Sequence, residues 1–338
     1  MRTTLTALLE SGRPLLADGA TGTNYFGMGL GPGEPPEIWN LDQPGKVRQL
    51  HQEFVDAGAD IILTNTFGCN RYRLKLHNLE SRTREIAMRA AEIASEVAAA
   101  APRPVVVAGS IGPTGELLVP LGPVTEDEAT AAFVEEAEGL RDGGANVAWI
   151  ETKSAASEMR SAARAAIIVG LPYVVTGSFD TAGRTMMGLP PAELAGVFAD
   201  FDVAPLAIGA NCGVGASDLL LTIQQMQHQD HVIIAKSNCG IPQFRGAEIE
   251  YTGNPELMGR YATLAVDSGA RIIGGCCGTS PTHLAEMRRS LDTHVPNVRP
   301  TIDVIIEAVG PLTNSVTSPG APGEGRRRPN RRSQVDRA

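Results

Sequence analysis

Short, almost continuously apolar runs alternate with longer Ala-rich amphipathic stretches along most of this 338-residue chain, and that alternation constrains the fold more than any other feature. The apolar runs span residues 14–17, 61–67, 105–110, 147–152, 173–178, 206–211, 232–237 and 271–276. Such runs suit parallel strands covered by helices on both faces. Between them, residues 47–57, 84–99, 126–141, 155–169 and 255–267 carry helical periodicity. Thr125 followed by Glu128 predicts a capping box, and Ser154 with Glu158 predicts a weaker helix start. Three stretches, 56–59, 142–145 and 267–270, place a glycine between helix and strand, where a left-handed stop is wanted.

Eight strand–helix repeats fit a (β/α)8 TIM barrel of the α/β class, and periodicity alone is also compatible with an open α/β sheet. The polar residues select the barrel. Asp18, Thr64, Thr66, Glu151, Asn211, Cys212 and Cys276 all fall at or just past the C-terminal ends of predicted strands. In a barrel all of those ends converge on one face, the face on which barrel active sites are built. The expected organisation is a barrel over 1–294, with its active site at those strand ends. A short C-terminal helix or extension follows over 295–312, with a helix expected near 300–309, and then a disordered tail over 313–338. The tail holds Arg326, Arg327, Arg328, Arg331, Arg332 and Arg337 among Pro, Gly, Ser and Asn, which reads as solvated chain or as a basic interaction arm.

Net charge narrows the partners. At −9 the chain offers no electrostatic reason to bind nucleic acid. No apolar run approaches the roughly 18–20 residues that span a bilayer, and Glu10 and Pro14 interrupt any signal-peptide core, so no membrane association and a cytoplasmic location are expected. A homo-oligomer stays open. Five cysteines without an export signal argue against a disulfide framework and towards metal binding or catalysis.

Three of those cysteines form a constellation. Cys276 and Cys277 are adjacent within Gly-Gly-Cys-Cys-Gly-Thr, and glycines let the backbone leave strand geometry so that neighbours can point the same way. Cys212 ends a strand two units earlier. Three thiolates plus one open position suit a catalytic zinc ion, whereas spacing alone is equally compatible with small buried hydrophobes. Cys69 and Cys239 read as packing residues. The histidines show no ligand spacing, and 109–115 lacks the Lys-Ser/Thr of a phosphate loop.

The segments DGATGT (18–23), NTFG (65–68), GSIGPTGELLVPLG (109–122), Asn211-Cys212 and GGCCGT (274–279) resemble, in order from Asp18 to His283, the zinc-dependent homocysteine S-methyltransferase family. Within it the chain is most similar to the bacterial betaine-using members. The resemblance implies Zn2+ on Cys212, Cys276 and Cys277, L-homocysteine as methyl acceptor, and methionine as product. It implies that Asp18 and Glu151 face the substrate ammonium while backbone N–H groups of Gly19 and Ala20 take its carboxylate. Asn211 is either a metal ligand when substrate is absent or an orienting residue. In some betaine-using relatives a tyrosine follows the equivalent of Phe67 and closes the empty metal site; here that position is Gly68.

The methyl donor is read from two features. The barrel also resembles that of cobalamin-dependent methionine synthase, yet the chain after Leu291 has no room for folate or cobalamin domains, so a small donor, glycine betaine, is expected. A quaternary ammonium wants aromatic faces. Trp39 and Phe67 are the leading candidates, with Tyr25 and Phe244 behind them, and Arg71 and Arg73 could meet a donor carboxylate. Met186 and Met187 are near enough in the pattern to touch the donor, with packing the alternative. Other readings are the same acceptor with S-methylmethionine, dimethylsulfoniopropionate or a corrinoid protein as donor, and a metal-free, non-catalytic barrel that only binds.

Overall fold

The computed structural model describes residues 3–226, 231–245 and 248–313. Its main sheet contains β1 (Leu15–Leu16), β2 (Ile61–Leu63), β3 (Val106–Ile111), β4 (Val147–Lys153), β5 (Tyr173–Gly177), β6 (Ala207–Cys212), β7 (Val232–Ser237) and, after a hairpin of β8 (Pro242–Arg245) and β9 (Glu248–Tyr251), β10 (Ala270–Gly275). The eight sheet strands pair in parallel in the order β1-β10-β7-β6-β5-β4-β3-β2. A parallel bridge between Ala17 and Ile61, flanked by Asp60 N–H to the Leu16 carbonyl (2.7 Å) and Asp18 N–H to the Ile61 carbonyl (3.0 Å), joins the first strand to the last. The architecture is therefore the (β/α)8 barrel, and the open-sheet alternative is set aside.

Two apolar layers hold it together. Inside the barrel, Leu15, Ala17, Ile61, Val106, Trp149 and Ile272 fill the lumen. The short helix Leu5–Leu9 packs Leu5 against that layer, with Leu8 and Leu9 beside it. The strand faces that point outward pack on Ala-rich helices; Thr83–Ala100 alone buries Ala87, Ala90, Ala91, Ala94 and Ala98 against its neighbours. Small side chains let these helices sit close to the sheet, and each large aliphatic buried between them contributes about 1.5–3 kcal/mol.

Local signals mostly place the elements as expected. The Thr125–Glu128 capping box is formed, and Gly58, Gly144 and Gly269 take positive φ at the predicted stops. Two expectations are corrected. The second strand stops at Leu63 rather than reaching Phe67, because the Thr66 N–H turns back to the Thr64 carbonyl (2.9 Å) and its hydroxyl bonds the Ser110 carbonyl (2.6 Å). Threonine side chains here compete with the strand ladder and swing Asn65 and Phe67 out over the rim. Ser154 caps nothing: the helix Ala156–Val169 is preceded by Ala155 without a side-chain cap. Glu158 instead accepts from the Thr114 N–H and hydroxyl, both at 2.7 Å, and so pins the loop after β3.

Beyond the last barrel helix, Ile302–Val309 forms a helix that buries Ile305 and Val309. Ser217 Oγ donates to the Gly310 carbonyl (2.6 Å) and Arg260 Nε to the Ala308 carbonyl (2.8 Å), which ties this extension to the barrel wall. The arginine-rich tail lies outside the described residues. Among the described residues no helix is long and apolar enough to cross a membrane.

Candidate metal centre and substrate cleft

The three cysteines converge at the C-terminal ends of the strands. Cys212 is the last residue of β6, and Cys276 and Cys277 follow β10 directly. Their sulfur atoms all lie within 4.8 Å of one another. Tetrahedral zinc with Zn–S bonds of about 2.3 Å requires sulfurs about 3.8 Å apart, so small side-chain adjustments bring the set to a metal. Soft thiolates in a threefold set select zinc over oxygen-preferring cations.

Backbone strain and side-chain clamps produce the arrangement. Cys212 has φ of 61° and Thr152 of 58°, left-handed values that cost a non-glycine residue of order 1 kcal/mol or more. Asn211 interlocks the two: its Oδ1 accepts from the Thr152 N–H (2.9 Å) and the Thr176 hydroxyl (2.7 Å), and its Nδ2 donates to Thr152 Oγ1 (2.7 Å). Buried Asn238 joins the two cysteine turns, donating to the Gly213 carbonyl (2.8 Å) and accepting from the Cys277 N–H (3.1 Å). Beyond Cys277 the chain turns at Gly278, φ 79°, where a Cβ would come within 2.4 Å of the Tyr251 ring. The closeness of the Cys212 and Cys276 sulfurs holds Cys277 well below the ordinary thiol range, while the same closeness pushes Cys212 up. Cys69 and Cys239 are buried and stand apart from this cluster.

The cluster opens into a cleft of about 670 Å³, a size that holds more than one small molecule. Its floor carries Glu151 and Lys236. Burial pushes Glu151 up to about 7, with Lys236 opposing the rise; its Oε1 accepts from Ser110 Oγ at 2.5 Å. Behind the wall, Asp18 Oδ1 meets Lys236 Nζ at 2.8 Å and Oδ2 takes the Leu63 N–H at 2.7 Å. Burial raises Asp18 while that lysine and amide pull it down. Burial works against the Lys236 cation, but Asp18 and Glu151 outweigh it and its pKa is raised.

The outer wall is different. Phe67 and Phe26 line it at 39% and 57% exposure, with Glu37, Arg73 and His77 alongside. Trp39 does not reach the cleft: it is 4% exposed, packed at 5.1 Å on Tyr25, with Lys46 Nζ 4.5 Å from its ring centre, so a cation already occupies that face. Tyr25 is fully buried behind it. Arg71 pairs outward with Glu135, which leaves Arg73 as the arginine of the cleft. Met186 and Met187 are exposed on the loop after β5 and do not line the cleft. The Phe244 side chain lies outside the described residues.

The structure redistributes other expected roles. Asp18 spends its oxygens on Lys236 and Leu63 behind the wall, whereas Glu151, bonded by Ser110 Oγ and, at 3.5 Å, by Asn211 Nδ2, lines the cleft, so of the two acids Glu151 is the one presented to it. The Ala20 N–H donates to the Thr279 carbonyl (3.1 Å), while among the described residues Gly19 N–H has no such acceptor. Asn211 spends its oxygen on Thr152 and Thr176 and turns Nδ2 towards Cys276 Sγ (3.9 Å), an orienting geometry. Lys236, Glu37 and Asn238 were missed. A lysine within Val-Ile-Ile-Ala-Lys-Ser was the available signal for Lys236, since a charge at a buried strand position demands a partner.

A family model described as homocysteine S-methyltransferase matches residues 15–291. The methionine synthases of Mycobacterium leprae and Mycobacterium tuberculosis are 31% and 30% identical over 83% and 82% of this chain, which spans about a quarter of their length (25% and 24%). Crystal structures of the homocysteine methyltransferase MmuM from Escherichia coli share the fold. The oxidized form superposes with a TM-score of 0.72 over 85% of this chain and 99% of that one, and the metallated form with 0.71 over 84% and 99%, both at 21% identity. The match spans the β1–β10 barrel and includes all three clustered cysteines, Glu151 and Lys236, and on that ground the chain belongs to the homocysteine S-methyltransferase family.

Proposed function

We propose that this protein transfers a methyl group from glycine betaine to the thiol of L-homocysteine, giving methionine and dimethylglycine, with zinc held by Cys212, Cys276 and Cys277. The observation that carries the reading is the set of three sulfurs within 4.8 Å opening onto the same cleft as Glu151. Zinc bound there would keep the substrate thiol deprotonated at neutral pH, where a free thiol near 8.5 is mostly protonated.

The chain's own residues do the rest. Glu151 receives the homocysteine ammonium, and the Gly19 N–H, free of an internal acceptor among the described residues, receives its carboxylate. Asp18 acts through Lys236, whose charge keeps two acids and three thiolates together in one buried floor. Asn211 and Asn238 hold the cysteine turns in register. With the acceptor fixed, the donor approaches from the outer wall: the S–C bond forms, the C–N bond breaks, and its electron pair leaves on a neutral amine. An anion and a cation neutralise each other along this path, so a cleft that excludes water favours it. A chemistry that depends on reduced cysteines suits the reducing cytoplasm.

Incubating the zinc-loaded protein with homocysteine and each of betaine, S-methylmethionine, dimethylsulfoniopropionate and a methylated corrinoid protein, then measuring methionine, tests the reading. Betaine should serve, and Cys276→Ala should remove both zinc and activity, the latter by more than about 10³-fold. The relatives named methionine synthase make the corrinoid protein the second reading, and methionine formed from it alone would overturn betaine. A folded, zinc-free protein would leave the binding-only barrel.

A further inference from the structure

The outer wall of the cleft carries a group that the chemistry above does not use. Glu37, in the 3-10 turn Pro36–Ile38, lines the cleft at only 5% exposure. Its Oε1 accepts from the Gly68 N–H at 2.6 Å, and among the described residues its other oxygen has no donor from another residue and no ion-pair partner. Buried carboxylates are normally paired, because an isolated one costs several kcal/mol in lost solvation. A buried acid that faces a cavity with no ion-pair partner among the described residues is therefore a mark of a ligand.

Three neighbours say which ligand. The Gly68 amide that holds Glu37 belongs to the residue after Phe67, so acid and aromatic face share one turn. Phe26 adds a second exposed ring to the same wall. The Arg73 guanidinium lines the cleft and makes no hydrogen bond or ion pair among the described residues, whereas Arg71, two residues earlier, is consumed by Glu135. Anion, aromatic faces and a separate free cation complement a small zwitterion whose cationic end bears methyl groups and whose other end is a carboxylate. Burial raises Glu37, while its own backbone amide, the Gly68 amide, Arg73 and His77 favour its anion, and a bound cation would favour it further.

We propose that Glu37, Phe67 and Arg73 form the donor subsite, and that Glu37 is the residue that selects a positively charged methyl donor of the ammonium- or sulfonium-carboxylate class. This deepens the functional reading and rests on it for the direction of transfer. Glu37 acts on binding of the donor, not on the acceptor thiol.

The test compares two ligands of one shape. Glycine betaine and 3,3-dimethylbutanoate differ in a quaternary nitrogen against a quaternary carbon, so calorimetric titration of the zinc-loaded protein with each isolates the cationic charge. Wild type should prefer betaine by about tenfold or more, a size consistent with a desolvated cation on aromatic faces beside an acid. Glu37→Gln keeps an acceptor for the Gly68 N–H and removes only the charge, and should cut the preference below about threefold. Zinc content and the KM for homocysteine should not change. Arg73→Met should weaken both ligands alike. Equal affinities in wild type, no binding of either, or an undiminished preference in Glu37→Gln would overturn the proposal. Intact discrimination without methionine formation would support the subsite and count against betaine as the donor.

Discussion

At the inner end of the cleft almost every polar group is bonded within the protein: Asp18 to Lys236 and Leu63, Asn211 to Thr152 and Thr176, Asn238 to Gly213 and Cys277. At the outer end, among the described residues, one Glu37 oxygen takes no donor from another residue and the Arg73 guanidinium makes no hydrogen bond or ion pair, and Phe67 and Phe26 stand open to solvent. The inner half is arranged before any ligand arrives, so the ordering cost of placing an acceptor is met when the chain folds. The outer half decides what is brought to it, with few groups and little supporting network. Substitutions inside should therefore damage stability and metal binding, and substitutions outside should change donor binding alone.

The largest expected effect is on the inner ion pair. Lys236→Met leaves Asp18 buried without its cation and should cost about 3–5 kcal/mol in urea unfolding. Adding Asp18→Asn should recover much of that loss, since the uncompensated charge is then gone. A Lys236→Met protein as stable as wild type would erase the distinction between the two halves. Next comes Asn238→Ala, which frees both cysteine turns and should weaken zinc binding by about 10–100-fold in chelator competition, with little effect on overall stability.

These inner contacts also mark where sequence reading stops. Apolar runs and the polar residues at their ends located the barrel and the three cysteines, because burial on two faces and convergence of strand ends are properties of sequence order. The Asp18–Lys236 pair joins residues 218 apart and exists only once β1, β10 and β7 lie side by side. Nothing local in Asp18 shows that both of its oxygens will be engaged. Trp39 misled for a related reason: an aromatic in a rim loop is a fair cage candidate until Tyr25 and Lys46 are seen to cover it. Glu37 passed unnoticed because an acid in a Pro-rich loop reads as solvated, and only the fold buries it.

A smaller effect concerns pH. Glu151 sits near 7, above its ordinary value because burial disfavours the charge, so it is neutral below that pH and anionic above it. An ammonium group binds the anion, so the KM for homocysteine should fall about tenfold between pH 6 and 8, following the ionised fraction of one group. Glu151→Gln should raise KM and flatten the profile; a wild-type KM that rises through this window would give Glu151 the opposite role. The smallest effect is expected outside: Phe67→Ala should raise the donor KM by about threefold to tenfold, the worth of one aromatic face, and leave zinc content and the pH profile untouched.

The proposed transfer needs a thiolate site with one position left for substrate sulfur, and zinc X-ray absorption read with and without homocysteine tests that most directly. The three clustered cysteines predict three sulfur neighbours at about 2.3 Å in the free protein and four when homocysteine is present, with Cys276→Ala binding no zinc. A sulfur count unchanged by homocysteine, or zinc retained by Cys276→Ala with full methyl transfer, would contradict it.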